Sequence, residues 1–216
     1  MENYLNNIIV TIDGASGSGK EKIAKFISRK YKLYHLDSGL IYRRITLFFI
    51  KNKITVSDEL RIKKTLNNKI KINPIKHVSL RNEEISRLSS IYATKKIVRD
   101  FVNKQQRIIV KKTLKNGKGC VIDGRDIGSK VFKNAKIKLF IQVNVKIRAK
   151  RRHKQLIEQG EKSIYSQILK NMKLRDKKDK NRKHSPLVIP KNAFIIDNSK
   201  SFDFTKKQLN EIFSKL

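Results

Sequence analysis

The sequence predicts an α/β fold in which a parallel β-sheet is flanked by helices. Short apolar runs rich in β-branched residues recur at 8–12, 120–122, 137–143 and 193–197, and helix-period segments lie between them. Alternation of this kind gives a parallel sheet with helices on both faces. In addition, the first run passes through Asp13 and a glycine-rich turn straight into a helical pattern. Ligands of such sheets bind at the carboxyl ends of the strands, where Asp13 and Asp123 both fall.

Taken in order, Ile8 to Ile12 reads as a buried strand, and Ile23, Ala24, Phe26 and Ile27 begin an amphipathic helix. Leu33 to Leu36 forms a short strand. Asp37-Ser38-Gly39 is a turn or N-cap that opens a helix through Tyr42, Ile45, Leu47 and Phe48-Phe49-Ile50. Ser57 or Asp58 caps the next helical turn, because either side-chain oxygen can accept a free N–H. Asn67 to Leu80 alternates in part and carries Pro74, which reads as short strands in a small insertion. Helical pattern resumes from Glu83 to Leu114 and stops at Asn116-Gly117-Lys118-Gly119. Strands follow at Cys120–Ile122 and Ile137–Val143. A basic helix runs from Val145 to Gly160 and another from Ser163 to about Lys180. After a last strand over Ala193–Asp197, the final helix sets Leu209, Ile212, Phe213 and Leu216 on one face.

Gly14-x-x-x-x-Gly19-Lys20, between strand and helix, is the spacing of a phosphate-cradling loop. Its glycines let the backbone approach an anion, and the helix N-terminus adds partial positive charge. Lys20 reaches the terminal phosphates, and Ser16 and Ser18 add hydroxyls without bulk. The pattern departs from expectation after the lysine, where Glu21 and Lys22 stand in place of a metal-holding hydroxyl. A Glu21 carboxylate facing phosphates about 4 Å away would cost roughly 1–4 kcal/mol, so it is expected to point to solvent.

The chain carries 52 Lys and Arg against 18 Asp and Glu, a net charge of +34. Such a balance suits an anionic partner. Lys, Ile and Asn are abundant together and the basic residues are spread along the whole chain. That is the imprint of an AT-rich genome, so most of the excess reflects composition and a smaller part a phosphate-binding cleft. The lone Cys120 excludes an intrachain disulfide and reads as a core residue. The four histidines lack metal-ligand spacing. With no basic segment before the first apolar run and no apolar stretch long enough for a bilayer, a cytoplasmic protein is expected.

Two further motifs, Leu36-Asp37-Ser38-Gly39-x-x-Tyr42-Arg43 and Asp123-Gly124-Arg125-Asp126-Ile127-Gly128, resemble the bacterial cytidylate kinases. Arg148-Ala149-x-Arg151-Arg152-x-x-Gln155-Leu156 and Arg175-Asp176-x-x-Asp179-x-Asn181-Arg182-x-x-x-Pro186-Leu187 extend the resemblance over nearly the whole chain, with only about 52–80 weakly covered. It implies a P-loop kinase core with a small insertion that binds the nucleoside monophosphate and a helical lid. The core is expected over 1–55 and 89–216, the insertion over 56–88 and the lid over about 145–165. It also implies transfer of the γ-phosphoryl group of ATP to CMP or dCMP with Mg²⁺. Small-molecule nucleotides are the expected partners. The chain is expected to be a monomer, with neither membrane nor specific nucleic acid as a partner.

On this resemblance Gly14, Ala15, Ser16, Gly17, Ser18, Gly19, Lys20, Glu21 and Lys22 lie on ATP, and Arg151 and Arg152 close over its phosphates from the lid. Lys20, Arg125, Arg151 and Arg175 are the expected catalytic residues. Ser38 and Tyr42 share a helix face and, with Arg43 beside them, can hold the acceptor phosphate. Arg125 takes the same phosphate and Asp126 lines its site. Asp179 takes the sugar hydroxyl, Arg182 the base and Arg175 phosphates. Ser90 and Arg99 match the positions that read cytosine, and Arg81 matches a further arginine nearby. Nine residues of unbroken helix would put Ser90 and Arg99 on opposite faces, so a break is required between them, and Thr94 can cap a second helix there. The family has Gly-Thr in place of Glu21-Lys22, and the threonine hydroxyl helps to hold Mg²⁺. Here the metal is expected to be held through waters by Asp13, Asp37 or Asp123. The competing readings are a kinase for UMP or AMP, and a weakened paralogue that binds nucleotides or nucleic acid.

Overall fold

A computed structural model describes residues 7–67, 80 and 83–215. Its strands are β1 (Ile9–Gly14), β2 (Tyr34–Asp37), β3 (Cys120–Gly124), β4 (Ile137–Gln142) and β5 (Phe194–Asp197). The helices are α1 (Lys20–Lys30), α2 (Ser38–Lys51), α3 (Glu59–Asn67), α4 (Glu83–Tyr92), α5 (Lys96–Lys115), α6 (Val145–Glu158), α7 (Tyr165–Asn181) and α8 (Phe202–Phe213). Arg81, Leu216 and the interior of the expected strands between Asn67 and Leu80 lie outside the described residues.

The chain divides into two compact units, residues 1–36 with 113–216, and residues 37–112. The second takes in α2, α3, α4 and most of α5. In the first unit the five-stranded sheet runs β2-β3-β1-β4-β5. β1 is parallel to β3 and β4, and β4 to β5. As the middle strand, β1 is buried on both faces from Val10 to Gly14. This explains its unbroken β-branched run. Ile23, Ala24 and Ile27 of α1 and Leu209 and Phe213 of α8 pack in one core with Val10, Ile12, Val121, Leu139 and Ile196. Each large aliphatic side chain so buried contributes roughly 1.5–3 kcal/mol.

The second unit is helical among its described residues, with Ile41, Ile45, Phe49, Ile62, Leu66, Val98 and Val102 buried. Asp37 caps α2 by accepting from Leu40 N at 3.1 Å, and Asp58 accepts from Arg61 N at 3.0 Å at the start of α3. The helical pattern from Glu83 to Leu114 is broken at Ala93-Thr94-Lys95, where Thr94 N and Lys95 N reach back only three residues, to Ile91 and Tyr92. Ser90 and Arg99 therefore lie on separate helices. Thr94 does not cap α5: its hydroxyl donates to Ile91 O at 2.7 Å and finishes the preceding turn.

Sequence reasoning has no counterpart for the wide turn at Ile127–Val131, where Val131 N bonds Asp126 O and Phe132 N bonds Ile127 O, five residues back. A side chain 114 residues earlier in the chain caps it, as described next.

Candidate active site

The turn between β1 and α1 needs its glycines. A Cβ on Gly14 would stand 2.7 Å from Ile141 O. Gly19 has φ +86°, and a Cβ there would meet Asn198 Nδ2 at 2.3 Å. Lys20 is buried, and its ammonium donates to Ala15 O at 2.8 Å and Ser18 Oγ at 3.3 Å. Burial, and after it Arg125, lowers the lysine pKa well below its usual range, against the opposite pull of Asp123, Asp13 and Asp179.

Glu21 and Lys22 have turned to other partners. The Glu21 carboxylate lies 2.6 Å from Lys25 Nζ, and Lys22 Nζ sits 4.3 Å from the centroid of Phe202. Both line an open groove of about 710 Å³ with Phe26, Arg29 and Lys30.

Parallel register brings two aspartates to the carboxyl ends of neighbouring strands: Ile12 pairs Asp123 and Asp13 pairs Gly124. Asp13 is fully buried and accepts Ile127 N at 2.8 Å on Oδ1 and Gly128 N at 2.7 Å on Oδ2. It thereby fixes the Asp-Gly-Arg-Asp turn against β1. Burial pushes the Asp13 carboxyl up to about 7, although the two N–H donors and Lys20 act to lower it. Asp123 Oδ1 lies 2.7 Å from His35 Nε2. Sequence reasoning missed His35; only the neighbouring places of β2 and β3 in the sheet bring it to Asp123.

Arg125, Asp126, Arg175, Asp179 and Arg182 form one electrostatic cluster. Arg125 Nε donates to Asp179 Oδ2 at 3.0 Å. Arg182 lies 3.6 Å from Asp179 Oδ1 and 3.6 Å from Asp126 Oδ1, and its Nε donates to Ser185 O. Burial alone would raise the Asp179 pKa, but Arg125, then Arg182 and Arg175, hold it below the usual carboxylate range. Arg175 and Asp179 are one turn apart on α7, and Arg182 is the extended residue that ends it.

The basic helix α6 separates its arginines. Arg148 is buried, paired through both terminal nitrogens with Asp176, and donates to Ser16 O at 2.8 Å and Val143 O at 3.1 Å. Arg151 donates to Asn198 O at 2.7 Å and to Ser199 O and Lys200 O at 3.2 Å. Arg152 donates to Gln155 Oε1 at 3.0 Å.

In the second unit Ser38 Oγ accepts Gln106 Nε2 at 3.1 Å, and the Arg99 guanidinium lies 5.8 Å from the centroid of Tyr42. Ser38, Arg99 and Gln106 are buried. Arg43 is near Gly39, where a Cβ would stand 3.4 Å from its Nη1. Ser90 Oγ donates to Arg87 O at 2.7 Å, within its own helix. Gln106 escaped sequence reasoning; its place seven residues after Arg99, on the same face of α5, is the signal that finds it.

Among the described residues no three His, Cys, Asp or Glu side chains gather to hold a metal, and no helix is long and apolar enough to cross a membrane.

Over residues 10–213 the sequence matches the cytidylate kinase family. A cytidylate kinase from Fusobacterium nucleatum is 39% identical over 208 residues, covering 89% of this chain and 90% of that one. One from Rickettsia felis is 34% identical over 215 residues, covering 99% and 95%. The crystal structure of TT1252 from Thermus thermophilus has the same fold, with a TM-score of 0.52 over 98% of each chain at 15% identity. The family match begins in β1 and ends in α8, enclosing the glycine-rich loop and the arginine–aspartate cluster, and the chain belongs to the cytidylate kinase family.

Proposed function

We infer that this protein transfers the γ-phosphoryl group of ATP to CMP or dCMP, giving ADP and CDP or dCDP. Membership of the cytidylate kinase family across residues 10–213 carries the reading. Phosphoryl transfer asks a protein for positioning and for positive charge around the transferred group, with little covalent chemistry. The site supplies both. The loop 14–20 holds the ATP phosphates, with Lys20 on the group in transit. Arg125 and Arg175 neutralise charge on the acceptor side, where Asp126 lines the site, Asp179 takes the sugar hydroxyl, and Arg182 holds the base. In the second unit Ser38, Tyr42 and Arg43 are assigned to the acceptor phosphate, and Ser90 and Arg99 to cytosine. Arg151 and Arg152 are assigned to ATP; Arg151 must first release the carbonyls of 198–200 that it now binds.

Mg²⁺ fits this donor set through water only. Asp13 has a backbone N–H on each oxygen, and Asp37 caps α2. Asp123 engages His35 through Oδ1 and has Oδ2 to turn toward a hydrated ion. When bound, the metal would offset phosphate charge; Asp123, Asp13 and Asp37 would hold it through waters.

The test is ADP release from ATP with CMP, dCMP, UMP and AMP in turn, for the wild type and Lys20→Ala. CMP or dCMP is expected to be the preferred acceptor, with activity dependent on Lys20. Preference for UMP or AMP, or turnover that survives loss of Lys20, would overturn the reading.

A further inference from the structure

We propose that Asn198, acting together with Arg148, is a positioning residue that sets which way the peptide groups of the phosphate loop face. The proposal rests on the reading that this loop holds the phosphates of ATP. A planar trans peptide points the carbonyl of one residue away from the N–H of the next. A donor that fixes a loop carbonyl therefore fixes the following N–H. Two such donors come from outside the loop: Arg148 Nη1 on Ser16 O at 2.8 Å, and Asn198 Nδ2 on Ser18 O at 2.8 Å. The N–H groups opposite them belong to Gly17 and Gly19, and among the described residues neither donates to an oxygen of the protein. They are the groups left for an anion.

Asn198 is held on every side. It is buried, its Oδ1 accepts Thr205 Oγ1 at 2.8 Å, its N donates to Gln142 O at 3.2 Å, and its carbonyl accepts Arg151 Nη1 at 2.7 Å. The Thr205 bond places the amide oxygen and so leaves the NH₂ for Ser18. The same NH₂ occupies the space in which a Cβ of Gly19 would stand, 2.3 Å away. Gly19 is thus required from outside the loop as well as by its φ of +86°. With the Asn198 donor gone, the buried Ser18 carbonyl loses its partner and the 18–19 peptide is free to turn. Turning would present oxygen to the phosphates where the Gly19 N–H had been.

The test uses Asn198→Asp, which keeps the shape and the acceptor for Thr205 but sets an oxygen against Ser18 O. Asn198→Leu removes the donor without adding charge, and covers the case in which the aspartate prevents folding. Calorimetric binding of ATP, inorganic tripolyphosphate and CMP is measured on the full chain, with KM for both substrates and the melting temperature. Both ATP and tripolyphosphate are expected to weaken about tenfold or more in both variants. CMP binding and its KM should stay within about twofold, and that split would not arise from general loosening of the fold. Tripolyphosphate bound equally by wild type and variants overturns the proposal alone, as does an equal loss for CMP. A wild type that binds neither ATP nor tripolyphosphate removes the underlying reading, and the proposal with it.

Discussion

Arg125 Nε donates to Asp179 Oδ2 at 3.0 Å, tying the turn after β3 to the end of α7 across 54 residues of sequence. Arg182 lies 3.6 Å from the other oxygen of the same carboxylate. One aspartate thus balances two guanidinium groups, both assigned here to the acceptor nucleotide. Removing one partner of a largely buried ion pair leaves uncompensated charge, at a cost of about 3 kcal/mol. Asp179→Asn should lose roughly that stability and raise KM for CMP, with KM for ATP little changed. The depressed pKa gives a sign to test as well. A carboxyl held below its unfolded value of 3.8 stabilises the fold above that pH, and loses the contribution as pH falls through the folded value. Urea unfolding from neutrality into acid should show a shallower acid limb in Asp179→Asn than in the wild type. Superimposable limbs would show that the arginines do not depend on this charge.

Lys20 is a buried cation whose pKa is lowered first by burial and then by Arg125. A lysine so placed destabilises the fold that houses it, a cost that the phosphate role proposed for it would account for. Lys20→Met should therefore melt at the wild-type temperature or above it, while kcat falls by about 10²–10³, the typical loss when one preorganised donor to the transition state is removed. Differential scanning calorimetry and a coupled assay on the same preparation decide it; a large drop in melting temperature would assign Lys20 a structural role.

Much of this was legible in the sequence, and for physical reasons. The strand–loop–helix at 8–27 and the cap at Asp37 are set by residues close together in the chain, so local pattern finds them. Helix spacing also placed Arg175 beside Asp179. The break at 93–95 was legible only as a requirement on Ser90 and Arg99, and Thr94 fills it differently from expectation because its hydroxyl bonds backward to Ile91. The wide turn at 127–131, His35 on Asp123 and Asn198 on Ser18 were illegible, since each depends on which strands adjoin in the sheet or on contacts made at long range. Gln106 on Ser38 spans 68 residues between two helices: its spacing from Arg99 places Gln106 on that face of α5, but no periodicity within either helix records its partner.

Asp13 should give the opposite pH signature to Asp179. Its carboxyl is pushed up to about 7, from 3.8, by burial. Between those values the folded chain keeps a proton that the unfolded chain has released, so this group's contribution to stability falls as pH rises and levels off above about 7. Asp13→Asn carries no titrating proton, and should lack this fall. It should also be less stable overall, because an amide has a single oxygen for the two N–H donors of Ile127 and Gly128. Unfolding free energies at pH 5, 6, 7 and 8 for both proteins are the measurement. If the difference between them does not vary with pH, Asp13 is ionised throughout this range.

Lys22 stands where the resemblance to the family implies a threonine that helps to hold Mg²⁺, and its ammonium lies 4.3 Å from the centroid of Phe202 instead. A cation over an aromatic face at an exposed site is worth roughly 0.5–1 kcal/mol. Lys22→Thr exchanges that contact for a hydroxyl near the N-terminus of α1. The variant should lose no more than about 1 kcal/mol of stability. It should also reach half-maximal activity at a several-fold lower Mg²⁺ concentration, while kcat at saturating Mg²⁺ stays close to the wild-type value. This pattern follows if the wild type holds its metal through water, since a direct hydroxyl then adds affinity without changing the groups that act on the phosphoryl. Activity titrated against Mg²⁺ at fixed ATP, with the melting temperature measured alongside, checks both halves. An unmoved Mg²⁺ midpoint in Lys22→Thr would mean that Asp123 and its neighbours already hold the metal as tightly as a hydroxyl at position 22 allows.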